Sequence, residues 1–90
     1  MDSKATDACA QVKRLIQSRA TTMLSTTALR TRVAAIYNAA QTSENPLIRA
    51  RSVALYSDAT VLAAGGEAPN LDADLAQMNN LCTAGGVLPA

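Results

Sequence analysis

The sequence predicts an all-α protein, an antiparallel up-down bundle of four helices whose first and last members are joined by a disulfide. Three observations predict it. Apolar residues recur at three-four spacing through four segments, and no alternating run reads as a strand. Capping residues, an Asn-Pro step and Gly-Gly pairs separate those segments by short connections. Cys9 and Cys82 fall on the apolar stripes of the first and fourth segments.

Helix 1 is predicted from an N-cap at Asp2 or Ser3 to about Thr21, with Ala5, Ala8, Cys9, Val12, Leu15 and Ile16 on one face and Arg19 at the end of that stripe, free to snorkel. The hydroxyl-rich stretch from Thr21 to Thr27 breaks the chain. Helix 2 is predicted from about Thr26 to Ala40, burying Leu29, Val33, Ile36, Tyr37 and Ala40. Asn45 then caps helix 3, and Pro46 occupies its first turn, where a missing N–H costs nothing. Helix 3 is predicted to reach Ala64 and to stop at Gly65-Gly66, with Leu47, Ile48, Ala54, Leu55, Ala59, Val61 and Leu62 as its apolar arc. Asn70 is the expected N-cap of helix 4, with Asp72 and Asp74 at the positive end of its dipole. Leu71, Leu75, Met78 and Cys82 form its ridge, and Gly85-Gly86 its end. Residues 1–86 thus read as one helical domain and 87–90 as a short flexible tail.

Ninety residues bury a limited core, and this one is aliphatic, because Tyr37 and Tyr56 are the only aromatic residues and His is missing altogether. A covalent staple compensates. An even number of antiparallel rods brings the start of the first and the end of the fourth to a common end of the bundle, which places Cys9 within reach of Cys82. A bridge over so long a loop favours an oxidising compartment. The competing reading is a pair of buried free thiols acting as small hydrophobes.

No apolar run approaches the roughly 20 residues of a bilayer span, so the protein reads as soluble. Met1-Asp2-Ser3-Lys4 lacks the features of a leader, so a secreted or cell-envelope location implies a signal sequence already removed.

Enzymatic chemistry is not expected, and no catalytic residue, metal ligand or cofactor site is assigned. Without His, and with two cysteines, neither a zinc site nor the commonest general base can be built. No Gly-x-Ser-x-Gly elbow occurs, and the Gly-Gly pairs follow helices instead of preceding them, which suits C-caps and not phosphate cradles. Asp72 and Asp74 lack the remaining ligands of a calcium loop.

Charge is uneven along the chain. Seven basic residues lie between Lys13 and Arg51 against Glu44 alone, and every charge after Arg51 is acidic. The simplest consequence is mutual neutralisation of the two halves on packing. The alternative is a surface for a partner, for which Arg30, Arg32, Arg49, Arg51, Tyr56 and Asp58 are the candidates. Arg51 and Asp58 fall inside the apolar arc assigned to helix 3, where an ion requires a partner; the simpler reading is that they flank the seam and snorkel or pair with neighbouring helices, and the alternative is a partly open face that binds something polar. Tyr56 points away from that arc, whereas Tyr37 sits on the ridge of helix 2.

Ala8-Cys9-Ala10-Gln11-Val12, Asn45-Pro46-Leu47 and Leu81-Cys82, in a chain rich in Ala and preferring Arg to Lys, resemble small exported helical proteins and lipoproteins of high-GC actinobacteria, mostly of unknown function. Mycobacterial haem-binding exported proteins are of a similar type. Their haem-contacting residues find no match here, although Tyr37 and Tyr56 are side chains able to ligate iron. The resemblance implies an exported, non-enzymatic binding or structural module of the cell envelope. A carrier of haem or lipid in the bundle core is the alternative. A cytoplasmic nucleic-acid-binding domain, with helices 2 and 3 as a helix-turn-helix, is the reading that near-zero net charge and the scarcity of stacking aromatics disfavour.

Overall fold

The computed structural model describes residues 2–84 and contains four helices, α1 (Ser3–Thr21), α2 (Thr26–Gln41), α3 (Pro46–Ala63) and α4 (Leu71–Ala84). No strand occurs among the described residues. The expected helix end at Gly85-Gly86 and the tail 87–90 lie outside them.

Each boundary has a local cause. The Asp2 carboxylate accepts the N–H of Ala5 at 2.9 Å, and the Ser25 hydroxyl accepts that of Ala28 at 3.1 Å, each satisfying a donor the helix start leaves free. The Asn45 side chain accepts two such donors, from Leu47 and Ile48, just ahead of Pro46. α3 ends in a Schellman motif, in which Gly66 N–H donates to the Val61 carbonyl and Gly65 N–H to that of Leu62. Gly65 has φ +90°, which a side chain would resist. A Cβ on Gly66 would meet Val61 Cγ1 at 2.7 Å, so both glycines are dictated by this turn.

The helices form a closed ring in which each packs on the next and α4 returns to α1. Contacts between helix ends give the alternating directions. Asp2, before α1, accepts from the Ser43 hydroxyl beyond the end of α2 at 2.9 Å. Gln41, closing α2, donates to the Ser52 hydroxyl at 2.8 Å and the Arg49 carbonyl at 3.1 Å near the start of α3. Arg19, near the end of α1, pairs with Asp72 at the start of α4. At the opposite end of the same interface, Cys9 and Cys82 are disulfide-bonded with their α-carbons 5.6 Å apart. Both are fully buried.

The core is aliphatic. Val12, Leu15, Val33, Ile36, Ile48, Leu55 and Met78 are buried, with Ala5, Ala8, Ala40 and Ala59 where the rods approach closely. α1, α2 and α4 bury the stripes expected of them, save that Ile16 and Tyr37 are only half-buried. α3 requires a correction. Its buried face is Ile48, Ser52, Leu55 and Ala59, whereas Leu47 is 59% and Val61 41% exposed. The helix is apolar almost all round, so apolar periodicity alone could not orient it. Ser52 enters the core because its hydroxyl donates to the Arg49 carbonyl at 2.7 Å and accepts from Gln41, which leaves no unpaired polar atom.

The disulfide closes a loop of sequence separation 73, so replacing both cysteines by Ala is expected to cost roughly 4 kcal/mol of unfolding free energy in the chain-entropy picture. Urea unfolding of the native and doubly substituted proteins measures this. A midpoint shift worth less than about 1 kcal/mol would show that packing alone closes the ring.

Candidate functional site

The residues singled out as partner contacts do not gather into one patch. Arg30, at the start of α2, is exposed beside Thr60, Ala63 and Ala64 at the end of α3. Arg49 lies at the other end of that helix pair and donates to the Ser43 carbonyl at 2.6 Å, so it braces the α2–α3 connection. Arg32 turns toward α1, with its guanidinium nitrogens 3.5 Å from the Ser18 hydroxyl. Tyr56 is half-buried at the α2–α3 seam and stacks on Tyr37, the ring centroids 4.7 Å apart and the planes inclined by 25°. That pairing consumes one face of each ring, as offset aromatic pairs do.

Arg51 and Asp58 are brought together, at the seam between α3 and α4. They lie seven residues apart, two turns along one side of α3, and flank the buried face of Ile48, Leu55 and Ala59 instead of entering it. α4 supplies their common neighbour, Asp74. Its Oδ1 lies 3.8 Å from the Arg51 guanidinium, and its side chain is 15% exposed against 44% for the arginine. Asp58 approaches the same carboxyl. Its Oδ2 is buried with no hydrogen-bond donor in reach among the described residues. Two ionised carboxylates cannot bond to each other, but a proton placed between them supplies the missing donor. A hydrogen bond to Asp74, then burial, then repulsion from the Asp74 charge push Asp58 up from its ordinary value of 3.8 to about 6. The cluster therefore holds two acids and one cation, with the cation set to compensate Asp74 and a proton to compensate Asp58.

Next to this cluster, toward the start of α3 and the far end of α4, runs a groove of about 330 Å³ lined by Leu47, Arg51, Gln77, Asn80 and Leu81. Two leucines give it an apolar wall, and one guanidinium and two amides give it directional polar groups. Such a mixture suits a peptide or protein surface that offers aliphatic and acidic side chains. A second depression, of about 380 Å³, lies between α1 and α4 over Ile16, Arg19, Leu75 and Ala76 and is crossed by the Arg19–Asp72 ion pair. The bundle centre is filled by Leu15, Ile36, Ile48, Leu55 and Met78, each at most 1% exposed.

Asp74 is the residue that sequence reasoning missed as a site member. It reads as a helix-dipole residue in the first turn of α4, and a buried acid is expected to seek a base, so a carboxyl partner for Asp58 sixteen positions earlier leaves no signal in spacing. Comparison with known proteins adds nothing to this geometry, since no protein family, no curated protein and no solved structure matches the chain.

The carboxyl pair makes stability depend on pH. A raised folded-state value means the folded protein binds the proton more tightly than the unfolded chain, so the contribution is complete below about 3.8 and is lost as pH rises through about 6. Asp2 acts in the opposite direction and in a different range. The Ala5 N–H foremost, with the Ser43 hydroxyl and the Glu44 N–H, holds it below its ordinary 3.8, so its contribution is present above that value and is lost as pH falls further. Asp58→Asn should therefore match the native protein near pH 4 and exceed it near pH 7, by on the order of 1 kcal/mol at this partly open site. Urea midpoints at the two pH values check it; equal shifts at both would show that Asp58 carries no displaced proton.

Proposed function

We propose that the protein is an exported, non-enzymatic helical module that binds a partner or serves as a structural element in the cell envelope. The observation that carries this reading is the Cys9–Cys82 disulfide, fully buried and joining the two ends of a short chain. A bond in that position is reached by oxidation during folding and then shielded from solvent reductants, which is the economy of a small protein made for an oxidising compartment. The half-apolar, half-polar groove at the α3–α4 seam supports a binding role. A core filled by aliphatic side chains favours a partner held at the surface over a ligand carried inside. The dispersal of Arg30, Arg32, Arg49 and Arg51 to separate sides and ends of the bundle gives no continuous track for a phosphate backbone.

The compartment is tested in the cell that makes the protein. Acid quenching followed by alkylation of free thiols with a mass-tagged maleimide is expected to leave both cysteines unmodified before reduction and to tag both after it. Recovery of the protein with both thiols already tagged before reduction would place it in a reducing compartment and end the exported reading.

A further inference from the structure

The chain holds only two aromatic residues, Tyr37 and Tyr56, and both lie in one contact. Arg30, Tyr37 and Gln41 line the side of α2 that meets α3, and Tyr56 answers Tyr37 across the seam. The ring centroids are 4.7 Å apart and the planes are inclined by 25°. That separation is near the short end of aromatic packing, about 4.5 to 7 Å, so carbons of the two rings are in van der Waals contact. Gln41 ties the two backbones at one end of the same seam through the Ser52 hydroxyl and the Arg49 carbonyl. The rings are thus held together by helices already in place, and each is half-buried, which leaves part of it open to solvent.

A one-electron oxidant meets few other donors in this chain. Trp is absent, and Cys9 and Cys82 are joined in a fully buried disulfide. Met23 is 97% exposed, but a thioether reacts with peroxide by accepting an oxygen atom, which is a two-electron step. Met78 is fully buried. The two phenols are therefore the readiest one-electron donors, and they are neighbours. We propose that Tyr37 and Tyr56 form an oxidative cross-linking site, which hydrogen peroxide and a haem peroxidase close to an intramolecular dityrosine between α2 and α3.

Each phenol gives up one electron and its hydroxyl proton to become a phenoxyl radical. One carbon–carbon bond then forms between the ring carbons ortho to the two oxygens. Each of those carbons loses its hydrogen as a proton and each oxygen regains one, so both hydroxyls are restored. The chain has lost two electrons and two protons, and hydrogen peroxide takes them through the peroxidase and leaves as two waters. Helix packing makes the coupling intramolecular, because a second radical formed on the same molecule already has its partner in contact. The product joins α2 to α3 across the seam opposite to the one that the disulfide closes between α4 and α1. Closing the segment between positions 37 and 56 removes freedom from the unfolded chain, as a disulfide does.

The test treats the dilute, disulfide-intact protein with hydrogen peroxide and a haem peroxidase, under conditions that couple free tyrosine. The expected product is a monomer lighter by two hydrogen atoms, with the blue fluorescence of dityrosine and a digest in which the peptide of Tyr37 is joined to that of Tyr56. Oxygen taken up at Met23 raises the mass instead and is told apart in the same spectrum. The cross-linked monomer should keep its helical spectrum and melt at a higher temperature. Tyr37→Phe combined with Asn38→Tyr keeps a ring against Tyr56 and moves the phenol to the exposed side of α2. That variant should yield the intramolecular product about tenfold less or lower still. A native monomer that keeps both hydrogens, covalent dimers as the main product, or an equal yield from the displaced phenol would each overturn the inference.

Discussion

Closure of the ring, α4 returning to α1, is the constraint on which the other contacts depend. Three of the four interfaces join helices adjacent in sequence through short connections, so they form at modest entropic cost. The fourth joins residues 73 positions apart. It is held at one end by the disulfide and at the other by the Arg19–Asp72 pair, whose side chains are 30% and 81% exposed. An ion pair that open contributes little. The covalent bond therefore reinforces the seating of α4, whose Leu71, Leu75 and Met78 are buried in the core, and with it the contacts α4 makes to α3, including the approach of Asp74 to Asp58. Four of the sixteen buried apolar residues, Ala5, Ala8, Ala40 and Ala59, are alanines, which let the rods approach closely but remove little area from water per residue, and a core this small gains from a staple.

Helix boundaries were legible where chemistry within a few residues sets them, with Asp2 as a cap, Asn45 ahead of Pro46 and Gly65 at positive φ, whereas the break before α2 was read from the hydroxyl-rich Thr21 to Thr27 stretch without Ser25 as its cap. The pairing of Cys9 with Cys82 was legible from helix count alone, since it needs direction and not detailed packing. The rotation of α3 was not. A wheel finds the core by contrast between faces, and α3 offers little contrast, so Leu47 and Val61 were drawn inward and Ser52 left out. The wheel put Arg51 and Asp58 within the apolar arc, and they lie on its edge and meet α4, in line with the simpler of the two readings of those positions.

The candidate site was half legible. Arg51 and Asp58 stood out because an ion on an apolar face requires a partner, and partners are present. Their identity was hidden, because α4 contributes an acid to an acid, and what reconciles the pair is a proton. Among the described residues, the separation of basic and acidic halves along the chain is resolved in the expected sense where α4 meets α1 and α3, at Arg19–Asp72 and Arg51–Asp74. Lys13, Arg14 and Arg30 remain exposed, and Arg49 serves a backbone carbonyl.

The weak contrast of α3 has a physical meaning beyond the difficulty it makes for a wheel. In a ring of four rods every helix keeps one side in water, and leaving Val53 and Val61 there forgoes hydration by charged groups that α1 and α2 obtain at no cost to the core. Replacing exposed Ser57 by Lys or Glu would improve helix propensity, whereas Val53, half covered within the monomer, would give up apolar contact. A helix with apolar residues on every side finds its core face by packing, here through Ile48, Leu55, Ala59 and the hydrogen-bonded Ser52, and not by contrast between faces.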